Sequence, residues 1–189
     1  KGVVNLNKEK LDIRFRIGQG NLEDFKKMVP YVFSPINNYL DHVRLNMPGE
    51  LRVFGGISLK ELKVAGKISG ENLNIINEDF ERAKFSFNYD SEKINFYNIE
   101  LFKIGGRITG KFKYLFPKNR FEYQGSISGI KLMDFNFYKL ANLGYSGDVY
   151  GELYGSGTSA DFATRSQVRI SNGRIGSLAV QDSLLTVYH

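Results

Sequence analysis

Few side chains in this sequence are suited to chemistry. His42 and His189 are the two histidines, and there is no cysteine. A lone histidine without a partner motif does not make a nucleophile–base pair. Without thiols, disulfides, thiolate metal centres and thiol catalysis are excluded. Glu23-Asp24 and Glu78-Asp79 are adjacent carboxylates. They read as helix-start and turn acids, because carboxylate-pair catalysis needs a pocket whose walls raise one pKa. Gly18-x-Gly20 and Gly155-x-Gly157 lack the context of a dinucleotide-binding loop and read as turns. The expectation is a chain that is not an enzyme and has no catalytic residue, metal or cofactor.

What remains is a pattern of faces. In Gly106 to Ile127, Ile108, Gly110, Phe112, Tyr114 and Phe116 share one parity, and Arg107, Thr109, Lys111 and Lys113 share the other. Pro117-Lys118-Asn119 breaks the run. Phe121, Tyr123, Gly125 and Ile127 then alternate with Glu122, Gln124 and Ser126. A period of two sends successive side chains to opposite faces of a sheet, so this stretch is expected to be a long hairpin with one apolar, aromatic face and one charged face.

The device recurs along the 189 residues. Gly2 to Leu6 reads as a short strand. Leu11, Ile13, Phe15 and Ile17 alternate with Asp12, Arg14 and Arg16 until Gly18-Gln19-Gly20. Asn21 then suits a helix N-cap, and Leu22, Phe25 and Met28/Val29 have helical spacing up to Pro30. Ser34-Pro35 suits the cap of a second short helix through Leu40. Strands resume from Gly49 with Leu51 and Val53, then Leu62, Val64 and Ile68, then Phe85, Phe87 and Tyr89. Asp90-Ser91-Glu92 reads as a turn into Ile94 and Phe96. The parity slips at Ile99 and Leu101, which predicts a bulge or turn near Tyr97-Asn98. Leu132 and Phe135 sit at helical spacing. Val149, Leu153, Val168 and Ile170 belong to later strands, and Asn172-Gly173 signals a tight turn. The chain ends in strand-like Leu184 to Tyr188.

The formal charge of +6 arises from 26 Lys and Arg against 20 Asp and Glu. These cations are expected to coat the solvent face, or else to attract anionic head groups. Aromatics and bases fall on opposite parities, which argues against a nucleic-acid platform, since that needs the two interleaved. No apolar run reaches the roughly 20 residues of a membrane helix. The opening residues read as mid-strand, so the chain is expected to be an excised piece of a longer protein with open terminal strands.

An internal repeat organises the chain. Leu11-x-Ile13-x-Phe15-x-Ile17, then Leu22 and Asp24-Phe25, corresponds at constant offset to Phe121-x-Tyr123-x-Gly125-x-Ile127, then Leu132 and Asp134-Phe135. Lys67-Ile68-Ser69 corresponds to Arg169-Ile170-Ser171. Residues 1–189 are therefore read as one elongated β unit with repeats of about 1–105 and 106–189. One-sided strands suit a closed sandwich core or an open groove, and the pattern alone favours the sandwich.

Gly66 to Gly70, Gly106 to Gly110, and Gly147, Gly151 and Gly155, with Gly147-Asp148-Val149-Tyr150-Gly151-Glu152-Leu153 and Gly155-Ser156-Gly157-Thr158, resemble the AsmA-like/TamB superfamily of bacterial envelope proteins. A proline usual after the Gly-Thr is replaced by Ala160-Asp161-Phe162. The resemblance implies an all-β, minor-α fold: a long curved antiparallel-rich sheet folded into a taco-shaped hydrophobic groove, with one or two short helices. It implies a periplasmic protein, anchored in the inner membrane by a segment not in this sequence and reaching the outer membrane. It further implies phospholipid acyl chains as cargo and an outer-membrane assembly β-barrel of the TamA/BamA type as partner. The alternative it implies is assembly of such barrels by strand addition. Groove-lining residues would be those of the apolar parity: Leu11, Ile13, Phe15, Ile17, Leu62, Val64, Ile68, Phe85, Phe87, Tyr89, Ile94, Phe96, Ile108, Phe112, Tyr114, Phe116, Phe121, Tyr123, Ile127, Val149, Leu153, Val168 and Ile170.

Overall fold

The structure is a computed structural model and describes residues 3–4, 10–21, 43–56, 60–75, 77–141, 144–158, 160–180 and 182–188. The strands are β1 (Val3–Val4), β2 (Lys10–Asn21), β3 (Val43–Gly56), β4 (Leu62–Ile75), β5 (Glu78–Tyr89) and β6 (Lys93–Lys103). They continue as β7 (Gly106–Leu115), β8 (Arg120–Lys131), β9 (Tyr145–Gly157), β10 (Phe162–Ile175), β11 (Leu178–Val180) and β12 (Ser183–Tyr188). Between β8 and β9 lie a 3-10 turn, Leu132–Asp134, and a short helix, α1, Asn136–Ala141.

All these strands join one antiparallel sheet, in sequence order from β1 to β11. β11 and β12 both pair with β10, opposite its partner β9. The fold is thus an all-β open meander, with no second sheet facing it among the described residues. This is the long antiparallel sheet that the resemblance implies, and not the sandwich that the alternation alone favours. The two proposed repeats contribute adjoining strands to the same sheet. The predicted helices over Leu22 to Val29 and after Ser34 lie outside the described residues, as do His42, His189 and Glu23-Asp24. No helix among the described residues is long and apolar enough to cross a membrane.

Tight turns join most strands. Asp90 accepts hydrogen bonds at its side chain from the backbone N–H of Glu92 and Lys93, both 3.0 Å, an Asx turn that closes β5 onto β6. Asn119, at φ 47°, donates its backbone N–H to the Phe116 carbonyl in the β7–β8 turn. The slip expected near Tyr97-Asn98 is a bulge: pairing skips from Phe96 to Ile99, and Asn98 has φ 52°.

Three local readings need correction. Gly18-Gln19-Gly20 does not end its strand: β2 continues to Asn21 through a register shift between Ile17 and Gly20. Asn172-Gly173 makes no turn either. Asn172 has φ 54° inside β10, where the register shifts between Ser171 and Arg174. A left-handed residue fits a bulge as readily as a turn, and cross-strand pairing on both sides decides between them. Glu78-Asp79 belongs to a strand, not a turn.

The core lies on one face. Leu51, Val64, Ile68, Leu73, Phe80, Ala83, Phe87 and Ile94 form one buried cluster, and Ile130, Phe135, Tyr138 and Val149 form another. Ile108 packs against both. Leu73, Ile94, Ile130 and Val64 are almost wholly enclosed, each contributing roughly 1.5–3 kcal/mol by burial.

Candidate functional site: an aromatic band on the apolar face

Directly opposed residues in an antiparallel pair share a face, so the register traces rows across the sheet. One row runs Ile13, Val53, Val64, Tyr89, Ile94, Tyr114, Phe121, Gly157, Phe162. The next runs Phe15, Leu51, Gly66, Phe87, Phe96, Phe112, Tyr123, Gly155, Thr164. Leu11 and Leu62 join the same face through Gly55, and the Ile17 backbone opposes Gly49, itself opposite Ile68. Phe85 opposes Ile68. Ile108, Ile127, Gly151 and Val168 form a further row, Leu153 faces Gly125, and Val149 faces Ile170. Phe116, in the turn after β7, packs against the first cluster. The residues of the apolar parity therefore converge on one side.

Ring contacts tie this side into a band running across the strands. Phe96 meets Phe85, Phe87 and Phe112, Phe112 stacks on Phe121, and Phe121 meets both Tyr123 and Phe162. Phe116 bridges Tyr89 and Tyr114. Val64, Ile68, Phe87, Ile94 and Val149 are covered by neighbours, whereas Phe85, Phe96, Phe112, Tyr114, Phe121 and Tyr123 are half-buried. Rings in the second group present an accessible apolar surface over β5 to β8.

Glycines on this face let side chains close over it. Gly66 lies between Leu51 and Phe87, and a Cβ there would sit 2.9 Å from the first and 2.6 Å from the second. Gly155 lies between Tyr123 and Thr164, whose hydroxyls meet at 2.5 Å across it. The sheet is accordingly bent towards its apolar side.

Beside the band, where β5 starts and β6 ends, the apolar face is closed off. Lys103, a cation on the apolar face, is 5% exposed and sits 2.8 Å from Glu78 Oε2. Its Nζ also donates to the Asp79 carbonyl at 2.9 Å and lies over the Phe80 and Phe135 rings. Asn136 of α1 donates to the Asn77 carbonyl at 2.6 Å and to Asp79 Oδ2 at 3.1 Å. Asn74 donates to Asp79 Oδ1 at 2.6 Å. The Asn74 and Asn136 amides hold the Asp79 carboxyl below its usual range.

Alternation alone misses Leu73, Phe80, Ile130 and Lys103. Asn72, at φ 57°, and Gly129, at φ 70°, switch the parity of their strands. Both residue types favour the left-handed region, and that was the available signal. The opposite face also differs from expectation, since it is not free of aromatics. Arg82 and Lys84 lie over Phe102, Arg52 over Phe54, and Arg169 over Tyr150. The shift at Asn98 puts Phe102 on the charged side, whereas Phe54 and Tyr150 stand there by alternation with Val53 and Val149.

Among the described residues no cluster of three or more His, Cys, Asp or Glu is placed to hold a metal. No family model, no curated protein and no solved structure matches this chain.

Proposed function

We propose that the aromatic band is a track for phospholipid acyl chains, and that the chain conducts lipid between the inner and outer membranes of a bacterial envelope. The observation that carries this reading is a half-exposed apolar surface continuous across β5 to β8 on one side of an open sheet. The resemblance to the AsmA-like/TamB superfamily supports it. Each methylene removed from water contributes roughly 0.8 kcal/mol, so a chain of about 16 carbons gains on the order of 12 kcal/mol before losing conformational freedom. Much the same gain recurs along the band, so a chain slides without leaving an apolar surround. No bond is made or broken.

Phe112→Arg tests the track. Phe112 is half-buried and touches Phe96 and Phe121, so an arginine there extends its guanidinium to water. The variant is expected to fold, and native mass spectrometry is expected to find phospholipid on the wild-type chain and little on the variant. A folded variant that keeps its lipid, or a wild-type chain without lipid, sinks the reading.

A second reading rests on β12, Ser183-Leu184-Leu185-Thr186-Val187-Tyr188, which pairs on one side with β10 and carries no charge. An uncharged edge strand is a template for another strand. On this reading the edge receives a strand of an outer-membrane barrel, and binding of barrel-strand peptides without lipid favours it.

A further inference from the structure

The two ends of the strands carry different turns. In an antiparallel meander, the β6–β7, β8–β9 and β10–β11 connections leave the sheet at one end, and the β5–β6 and β7–β8 turns at the other. The latter two present Ser91, Glu92, Lys118 and Asn119 to water, as surface turns usually do. Phe162, exposed at that end, meets Phe121 and belongs to the aromatic band. The other three connections present Ile104, then Met133, then Ile175 with Leu178. These are 58%, 51%, 56% and 70% exposed. They spread over about 20 Å at the usual strand spacing, and none of them packs against either buried cluster.

Cations stand around the same tips. Arg107 follows the Ile104 turn, Lys131 closes β8 before Met133, Lys139 lies on α1, and Arg174 precedes Ile175. All four are exposed, and no ion pair joins any of them to a described carboxylate. The acids at this end are mostly engaged: Glu78 with Lys103, Asp79 with Asn74 and Asn136, and Asp148 with Asn172 at 2.8 Å. Asp134 is half-buried, with one oxygen enclosed. Glu81 is exposed, in a depression where Arg82 and Arg107 outnumber it. Between α1 and the start of β9 lies a recess of about 390 Å³. Lys139, Arg174, Ser146 and Met133 line it, and no carboxylate is among its described lining residues.

This combination selects the occupant. A stable protein partner covers a contiguous patch of about 800 Å² on each side, whereas here the apolar groups are single turn tips with cations between them. A polyanion in water would use the cations and gain nothing from four aliphatic side chains. A bilayer uses both: aliphatic tips enter the acyl boundary, and the guanidinium and ammonium groups stay with the phosphates. We infer that this end of the sheet docks on an anionic phospholipid surface. Ile104, Met133, Ile175 and Leu178 are its inserted tips, and the recess of Lys139 and Arg174 seats a lipid phosphate. The contact does not rest on the acyl-chain track, since these turns hold the chain on a bilayer whether or not the band carries lipid.

The chain has no tryptophan, so a single introduced indole reports its own surroundings. Vesicles of phosphatidylcholine mixed with phosphatidylglycerol should shift the emission of Leu178→Trp and Ile104→Trp to the blue. Ser91→Trp, at the opposite end, should not shift. In cosedimentation with the mixed vesicles, Lys139→Gln combined with Arg174→Gln should weaken binding about twentyfold. Ile104→Ser combined with Leu178→Ser should weaken it at least about tenfold. All four side chains are exposed, so both double variants should melt like wild type, which separates lost binding from lost fold. A chain that docks on vesicles yet extracts no lipid keeps this contact and rejects only the acyl-chain track. The inference is overturned if the mixed vesicles do not bind, or if vesicles of phosphatidylcholine alone bind equally well. It is also overturned if Ser91→Trp shifts as far as Leu178→Trp, or if neither double variant weakens binding.

Discussion

The rings of Phe121 and Phe162 meet at 6.1 Å between centroids although a whole strand separates them. Both residues oppose Gly157 of β9. Two strand intervals span roughly 10 Å in a flat sheet, so the contact requires the rings to lean over a position that has no side chain. The same device places Tyr123 against Thr164 over Gly155, and Leu51 and Phe87 around Gly66. Glycine on the middle strand is what lets this sheet bend towards its apolar face.

Gly155→Val should therefore open the bend. A Cβ at position 155 would lie 2.3 Å from the Tyr123 ring, so the ring must leave and its bond to Thr164 is lost. A cost of about 1–3 kcal/mol is expected, as for other overpacked sites. Urea denaturation measures it, and a wild-type midpoint would refute the argument.

Lys103→Ala should destabilise more than most substitutions here. It removes the ammonium that lies 2.8 Å from Glu78, whose side chain is 19% exposed, and breaking a buried pair costs about 3–5 kcal/mol. The double variant Lys103→Met, Glu78→Gln should recover most of that loss, because neither replacement buries an unpaired charge. A double variant no more stable than Lys103→Ala would show that the pair's geometry, not its charge, matters.

Acid should loosen the docking of α1. Hydrogen bonds from Asn74 and Asn136 depress the Asp79 carboxyl in the folded chain. A depressed acid contributes stability that is present above its unfolded value, about 3.9, and lost as pH falls through the lower folded value. The melting difference between wild type and Asp79→Ala is thus expected at pH 6 and to close as pH falls below the ordinary carboxylate range. A difference independent of pH would contradict this assignment.

The outer edge of β12 should pair with a second copy at high concentration. It carries no charge, and Leu184 and Tyr188 are exposed. Thr186→Lys places a charge in mid-edge, the usual protection against such pairing. Light scattering should show concentration-dependent association for wild type and its loss in the variant. Identical behaviour of the two chains would remove β12 as the contact.

The alternation of residues such as Phe112 and Tyr114 against Lys111 and Lys113 was enough to place the strands and their apolar face, because side-chain direction in a strand depends only on parity. It also located the Tyr97-Asn98 bulge and the turn at Asp90. The other interruptions of parity needed the fold. Asn172-Gly173 and Gly18-Gln19-Gly20 carry the local signature of turns, and only pairing across neighbouring strands keeps them in β10 and β2. Asn72 and Gly129 bring Leu73 and Ile130 to the apolar side through single left-handed residues. The Lys103–Glu78 pair joins residues 25 apart in sequence, and the Phe121–Phe162 contact joins strands that are not neighbours. Local sequence determines which way a side chain points. Which side chains then meet is decided by register and curvature, and both arise from contacts between distant parts of the chain.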